Sequence, residues 1–157
     1  MSHRTFQGSL DASNLRIAVI VSRFNEFITE PLAKGALTVL EKHGCPPANV
    51  IFVKVPGAWE LAVAAKHLAP NCDAIIALGA VVRGDTPHFD YVAGGAAEGL
   101  NRVSLDTGVP IAFGVLTTDD MQQAMDRAGG KSGNKGAEAA EVAIELANLV
   151  KQLKDLR

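Results

Sequence analysis

The chain has 157 residues, which suits one domain with its own hydrophobic core, so we predict a single domain over residues 1–157. Hydrophobic residues make up 48% of the chain and charged residues 20%, a composition that argues against a disordered or coiled-coil protein. The net charge of −2 gives no reason to expect nucleic acid as a partner, and no apolar run is long enough to predict a membrane span.

The N-terminal residues 1–14 are polar and lack the apolar stretch of a signal peptide, which favours a cytoplasmic protein. We expect this segment to be flexible, or to add an edge strand through Phe6–Leu10 to its own sheet or to a neighbour's. Cys45 and Cys72 form no CxxC motif and have no metal-ligand spacing. They therefore indicate two free thiols in a reducing compartment and no metal site.

Short apolar runs alternate with helical segments along the whole chain. The predicted strands are Arg16–Val21, Val50–Val55, Asp73–Gly79 and Pro110–Leu116. The predicted helices are Glu26–His43, Trp59–Leu68, Phe89–Leu105, Asp119–Ala128 and Ala137–Leu156. This alternation predicts an α/β fold, namely a three-layer αβα sandwich around a central four-stranded parallel sheet, of flavodoxin-like form.

Several residues at the predicted boundaries have the chemistry of helix ends and loops. Asn25 and Thr118 are predicted N-caps, and Gly44 is the predicted end of the first helix. The glycine- and lysine-rich segment Gly129–Gly136 is predicted to be a loop.

Open parallel sheets bind their ligands beyond the carboxyl ends of the strands. Four predicted loops meet at that edge, and we expect a site there: Ser22–Asn25, Pro56–Glu60, Ala80–His88 and Thr117–Asp119.

His88 is the candidate proton-transfer residue of these loops. It lies between a loop and a helix, directly after the rigid Pro87, and an imidazole titrates near neutral pH. A histidine that only hydrogen-bonds at a helix start remains an equal alternative on spacing alone.

Two cationic segments are candidate anion sites. Arg83–Thr86 could hold an anion with backbone amides beside Gly84, or could be a tight turn with Arg83 in a salt bridge. Arg127 and Gly129–Gly136 lead into a helix N-terminus, a place that attracts phosphate, or form a solvated connection. The chain contains neither a Walker A motif nor GxGxxG.

The aromatic residues Phe24, Trp59 and Phe113 could each stack on a planar ligand or pack within the protein. Glu60, at a helix start, could interact favourably with the helix dipole or could bind ligand hydroxyls.

Four segments together resemble the lumazine synthase family over nearly the whole chain. They are Ser22–Asn25, Val55–Leu61, the LGAVxRGxTxHF pattern at Leu78–Phe89, and Arg127–Gly136. The resemblance implies that a ribitylaminouracil condenses with 3,4-dihydroxy-2-butanone 4-phosphate, without metal or organic cofactor, at the penultimate step of riboflavin biosynthesis.

The resemblance also implies a role for individual residues. His88 would transfer protons and Phe24 would stack on the pyrimidine, while Asp85 and Thr86 would bind the phosphate. Ala58, Trp59 and Glu60 would line the pyrimidine substrate, and the backbone of Ala80, Val81 and Val82 would hold the ring edge. From the adjacent subunit would come Phe113 and Arg127, with Lys135 adding positive charge.

A shared site implies a homo-oligomer. The family builds pentamers, and the segment Gly129–Asn134 resembles the kink of members that form icosahedral shells, so we expect a 60-subunit shell. Riboflavin synthase is a candidate partner. Two other readings remain, a flavodoxin-like binding module and a shell protein without catalysis. A flavin-binding module would not need His88 and Arg127, and the presence of Phe24, His88 and Arg127 argues against a shell without catalysis.

Overall fold

A central parallel sheet carries the fold in the structure, a computed structural model that describes residues 2–157. Its strands are β1 (Ile17–Ser22), β2 (Val50–Val55), β3 (Ala74–Val82) and β4 (Ile111–Thr118). Their spatial order is β2-β1-β3-β4, and each neighbouring pair is parallel. The predicted four-stranded parallel sheet is confirmed.

Helices cover both faces of this sheet, which confirms the three-layer αβα arrangement. The helices are α1 (Glu26–Lys42), α2 (Leu61–Leu68), α3 (His88–Thr107), α4 (Met121–Asp126) and α5 (Lys135–Lys154). Helices α1 and α5 pack together on one face, and α2 and α3 pack on the other. Short 3₁₀ turns at Pro47–Asn49, Ala58–Glu60 and Ala69–Asn71 join some of these elements.

The two central strands divide their side chains between two hydrophobic cores. Odd-numbered residues of β1 and even-numbered residues of β3 face α1 and α5, and the alternate apolar residues face α2 and α3. Because both faces are covered, every residue of β1 is buried. Burial on both faces explains why these strands appear in the sequence as continuous apolar runs.

The structure confirms Asn25 as the N-cap residue of α1, without a side-chain cap bond, and corrects the N-cap predicted at Thr118. The backbone carbonyl of Asn25 accepts the first bonds of α1, from the amides of Ile28 and Thr29, but its side chain does not cap the helix. Helix α4 is shorter than predicted and is capped by Asp120, whose Oδ1 accepts a 2.8 Å hydrogen bond from the Gln123 amide. The Thr118 hydroxyl instead donates to the carbonyl of Asp120.

The segment predicted as a loop contains a short antiparallel hairpin, β5 (Ala128–Gly130) with β6 (Gly133–Asn134). Gly129 and Gly133 have φ of 101° and 91°, which L side chains rarely adopt, so these glycines allow the turn. Asn134 then caps α5 by accepting from the Ala137 amide and also donates to the Pro31 carbonyl of α1.

The N-terminal segment does not form the edge strand predicted at Phe6–Leu10 of this chain's own sheet. Side-chain amides of α5 hold it instead: Asn148 donates to the carbonyls of Ser9 and Asp11, and Gln152 donates to that of Gln7. Addition of this segment to a neighbour's sheet stays a prediction.

Cys45 and Cys72 are free, as predicted, and both are buried, which raises the pKa of both thiols. Within residues 2–157, no helix has the length and apolar content needed to cross a membrane.

Candidate active site

A pocket of about 780 Å³ lies beyond the carboxyl ends of β1, β2 and β3. That volume is in the range of small-molecule sites. Most of its wall is apolar, and we call it the aromatic pocket. Its lining residues are Phe24, Pro56, Gly57, Ala58, Trp59, Glu60, Ala80, Val81, Val82, Gly84, Thr86, His88, Phe89, Tyr91 and Val92.

Two aromatic side chains stand at this pocket with most of their surface uncovered. Phe24 is 70% exposed and Trp59 is 60% exposed, so neither serves as core packing in this chain. The Trp59 ring lies against Gly95 of α3, where an added Cβ would approach within 2.7 Å of Trp59 Cε3. Large exposed aromatic surfaces at a pocket are suited to stack on a planar ligand or to be covered by a second chain.

The loop that carries Phe24 is fixed to both neighbouring strands. The amides of Arg23 and Phe24 donate to the carbonyls of Val55 and Pro56, at 2.8 and 3.0 Å. Asn25 has a left-handed backbone, with φ of 61°, and its Nδ2 donates to the Ala80 carbonyl at 3.2 Å. The end of β1 is thereby tied to the pocket floor, where Ala58, Ala80 and Val81 are buried.

His88 begins α3 at the mouth of the aromatic pocket. Its amide donates to Thr86 Oγ1 at 3.4 Å, and its side chain is exposed. Among residues 2–157, no side chain or carbonyl hydrogen-bonds the imidazole, so both ring nitrogens are available to a ligand. An imidazole in this position can take a proton from a bound molecule and return it.

Arg83 is engaged by protein groups, in agreement with the salt-bridge reading of its turn. Its Nε lies 3.0 Å from Asp119 Oδ1, and its Nη1 lies 3.9 Å from Asp90 Oδ1. Its guanidinium carbon lies 4.5 Å from the centroid of the Phe89 ring. Because its guanidinium already makes these contacts, Arg83 is less available to bind a phosphate in this loop.

A second pocket, of about 450 Å³, lies beyond β4 between α4, the hairpin and the start of α5. We call it the cationic pocket, because Arg127 and Lys135 both line it. Its other lining residues are Val115, Leu116, Thr117, Thr118, Gln123, Ser132 and Glu138. Arg127 Nη1 donates to the Gln123 carbonyl at 3.0 Å, which uses one of its five N–H groups and leaves the others to donate to a ligand.

The structure brings together most of the predicted residues but not all. Phe24, Ala58–Glu60, Ala80–Val82, Thr86 and His88 share the aromatic pocket, whereas Arg127 and Lys135 line the cationic pocket. Asp85 is exposed in the loop before His88 and lines neither pocket. Phe113 lies on β4, at the edge of the sheet, and is 40% exposed.

Sequence reasoning missed three lining residues of α3, namely Phe89, Tyr91 and Val92. Tyr91 lies three positions after His88 in the same helix, and it is 71% exposed. Helical spacing of three places two residues on one face, so that spacing could have indicated Tyr91. Within the described residues, no group of three or more His, Cys, Asp or Glu side chains could hold a metal ion.

The parallel sheet, the pocket at its carboxyl edge and the free histidine at its mouth are the features of an α/β protein with a small-molecule site. A sequence model of 6,7-dimethyl-8-ribityllumazine synthase matches residues 14–151. The 6,7-dimethyl-8-ribityllumazine synthases of two Nitratidesulfovibrio vulgaris strains, DP4 and Hildenborough, are each 49% identical to this chain over 152 residues. Each alignment covers 96% of this chain and 97% of the relative. The chain belongs to the 6,7-dimethyl-8-ribityllumazine synthase family, whose members are transferases of riboflavin biosynthesis.

Proposed function

We propose that this protein condenses 5-amino-6-(D-ribitylamino)uracil with 3,4-dihydroxy-2-butanone 4-phosphate. The product is 6,7-dimethyl-8-ribityllumazine, with release of phosphate and water, at the penultimate step of riboflavin biosynthesis. The observation that carries the proposal is the aromatic pocket, which places an exposed Phe24 and the free imidazole of His88 at one opening. Phe24 can stack on a planar heterocycle, and the His88 imidazole can carry out a sequence of proton transfers.

The pyrimidine substrate is assigned to the aromatic pocket. Phe24 stacks on the ring, and the backbone of Ala80–Val82, at the end of β3, holds the ring edge. Ala58 and Trp59 line the same space. Glu60 lies at the turn before α2, beside Gly57, where its carboxylate can accept hydrogen bonds from the ribityl hydroxyls.

His88 is assigned the proton transfers of the reaction. The 5-amino group of the uracil attacks the ketone of the second substrate, and an imine forms with loss of water. Phosphate is then eliminated, and the ring closes when the ribitylamino nitrogen attacks the remaining carbonyl with loss of a second water. Each step moves a proton to or from carbon, nitrogen or oxygen near one place. A single imidazole with both ring nitrogens free can serve several of them when the substrates are held in position.

The phosphate is assigned to groups of two chains. Asp85 and Thr86 offer backbone amides in the exposed loop before His88, and Arg127, with Lys135 near it, comes from an adjacent subunit. The separation of the two pockets within one chain supports this assignment, because Arg127 lines only the cationic pocket. Phe113, exposed on the edge strand β4, belongs to the same contributed surface.

We further propose that the subunits form pentamers and that the pentamers form a 60-subunit icosahedral shell. The exposure of Phe24, Phe27, Trp59, Tyr91 and Leu105, each at least 60% exposed, supports extensive contact between copies. The free buried thiols support a reducing compartment, and we propose the cytoplasm. Riboflavin synthase stays a predicted partner.

The activity is tested by mixing the purified protein with both substrates and recording the absorbance of the lumazine and the release of phosphate. We expect both signals to rise together, well above the uncatalysed mixture. No acceleration in a correctly assembled sample would refute the proposal. A flavin that copurifies with such an inactive sample would point instead to a flavodoxin-like binding module.

The assembly is tested by particle mass in solution. A 60-subunit shell would have about twelve times the mass of one pentamer, so light scattering separates the two. A monomer that is fully active would contradict both the pentamer and the shared site.

A further inference from the structure

Arg83 connects the helix that carries His88 to the loop after β4, the strand beside β3. It follows β3 directly, and its amide donates to the Thr118 carbonyl at 2.8 Å, which continues the pairing of β3 with β4. Its guanidinium then contacts Asp119, in the loop after β4, and Phe89 and Asp90, in the first turn of α3. The Arg83 side chain therefore contacts both the first turn of α3 and the loop after β4, which are separated in the chain by the rest of α3 and by β4.

Few polar contacts fix the start of α3, whose Phe89 ring also packs against the core under α2 and α3. The N-cap position is occupied by Pro87, which makes no side-chain cap bond, and the preceding residues Gly84–Thr86 are exposed. His88 itself has one long amide contact, of 3.4 Å, to Thr86 Oγ1. The Arg83 guanidinium covers the ring of Phe89, the residue next to His88, and that ring also lines the aromatic pocket.

We propose that Arg83 is a positioning residue that sets the place of the His88 imidazole through Phe89 and Asp119. This inference rests on the proposed function for its kinetic test. Asp119 holds the Nε side of the guanidinium, and the flat face lies on Phe89, an arrangement that suits a planar cation. The side chains of Arg83 and Asp119 are 51% and 70% exposed, so the pair adds little to global stability. Its effect is expected on geometry, to which general acid–base catalysis is sensitive.

The test compares Arg83→Ala, Arg83→Lys, Asp119→Ala and the double variant in lumazine formation. We expect kcat to fall about tenfold in Arg83→Ala with KM values within about threefold of the wild type. Arg83→Lys keeps the charge but not the planar stack, so its kcat should lie between that of the wild type and that of Arg83→Ala. The double variant should be no slower than Arg83→Ala alone, because both substitutions remove the same contact.

Arg102→Ala is the matched control. This substitution also removes an exposed ion pair of α3, in which Arg102 Nε lies 3.8 Å from Asp106 Oδ2. Arg102 lies far along the helix from His88. Its kcat should equal that of the wild type. An equal loss in Arg102→Ala, additive losses in the double variant, or an unchanged kcat in Arg83→Ala would each overturn the inference. Should Arg83→Ala fail to assemble, an unchanged kcat in both Asp119→Ala and Arg83→Lys would overturn it in the same way.

A crystal structure of Arg83→Ala tests the placement without catalysis. We expect the first turn of α3 and the His88 ring to be displaced, while Arg102→Ala leaves both in place. Unchanged coordinates in Arg83→Ala would overturn the inference even if the wild type were inactive. An inactive wild type would refute the proposed function alone.

Discussion

The aromatic pocket and the cationic pocket differ in the chemistry that each can offer. The first is wide, mostly apolar and contains His88, whereas the second is smaller and contains Arg127 and Lys135. One can hold a planar ring and move protons, and the other can hold an anion. Neither has the complete set that a phosphate-releasing condensation needs. The difference supports the proposal that each chain provides two half-sites and that a second copy completes the site.

The largest effect is expected from the aromatic pocket. His88→Ala should lower kcat by about 10²-fold or more, because it removes the group assigned to proton transfer. Initial rates of lumazine formation measure it. His67→Ala is the matched control, since His67 is exposed near the end of α2 and lines neither pocket. A His88→Ala enzyme with wild-type kcat would remove His88 from its role.

The cationic pocket should respond differently. Arg127→Lys keeps the charge but loses the forked donors that match a phosphate, so we expect KM for the butanone phosphate to rise about tenfold. KM for the uracil should stay near its wild-type value, because Arg127 does not line the aromatic pocket. Equal changes in both KM values would contradict the division between the pockets.

A mixture of two inactive chains tests whether the half-sites come from different subunits. In an assembly of His88→Ala and Arg127→Ala chains at equal amounts, a site is complete when one chain brings His88 and its neighbour brings Arg127. Random mixing makes roughly a quarter of the sites complete, since a head-to-tail interface pairs different surfaces of the two chains. Coexpressed chains should therefore regain about that fraction of wild-type activity. No recovery in correctly assembled mixtures would place both residues in one chain's site.

A smaller effect is expected from Gly95→Ala, which alters only the aromatic pocket. The added Cβ meets the Trp59 ring, and because that ring is largely exposed we expect it to shift at low cost. KM for the uracil should rise a few-fold. Trp59 is the single tryptophan of the chain, so intrinsic fluorescence reports the shift directly. Gly94→Ala is the control, since nothing lies within 4 Å of its Cβ position. Identical emission and kinetics in the two variants would contradict this contact.

The buried strands could be predicted from sequence because burial on both faces leaves continuous apolar runs, as in β1 and β3. The side-chain bonds at the helix starts could not be predicted, since the Asn25 side chain bonds Ala80 and the Thr118 hydroxyl bonds Asp120. The hairpin after Arg127 was missed because strands of two or three residues are too short to show alternation.

The site was predictable in part for a related reason. Loops at the carboxyl edge follow from the order of strands, so Phe24, Trp59 and His88 could be placed together from the pattern. Tyr91 belongs to a helix rather than a loop and was missed. Arg127 could not be placed by spacing at all, because its partners in the site are not expected within the same chain. The family resemblance supplied that assignment.

The attachment of the N-terminal segment to α5 has a consequence for the order of folding. Residues Ser9 and Asn148, which share a hydrogen bond, are 139 positions apart, and the core face beneath α1 and α5 also needs residues from both regions. The opposite face is covered by α2 and α3, which lie between the strands in the chain. Contacts of long sequence separation form slowly. During synthesis, the face under α2 and α3 can therefore close first, whereas the other face is covered only by α1 until α5 has left the ribosome.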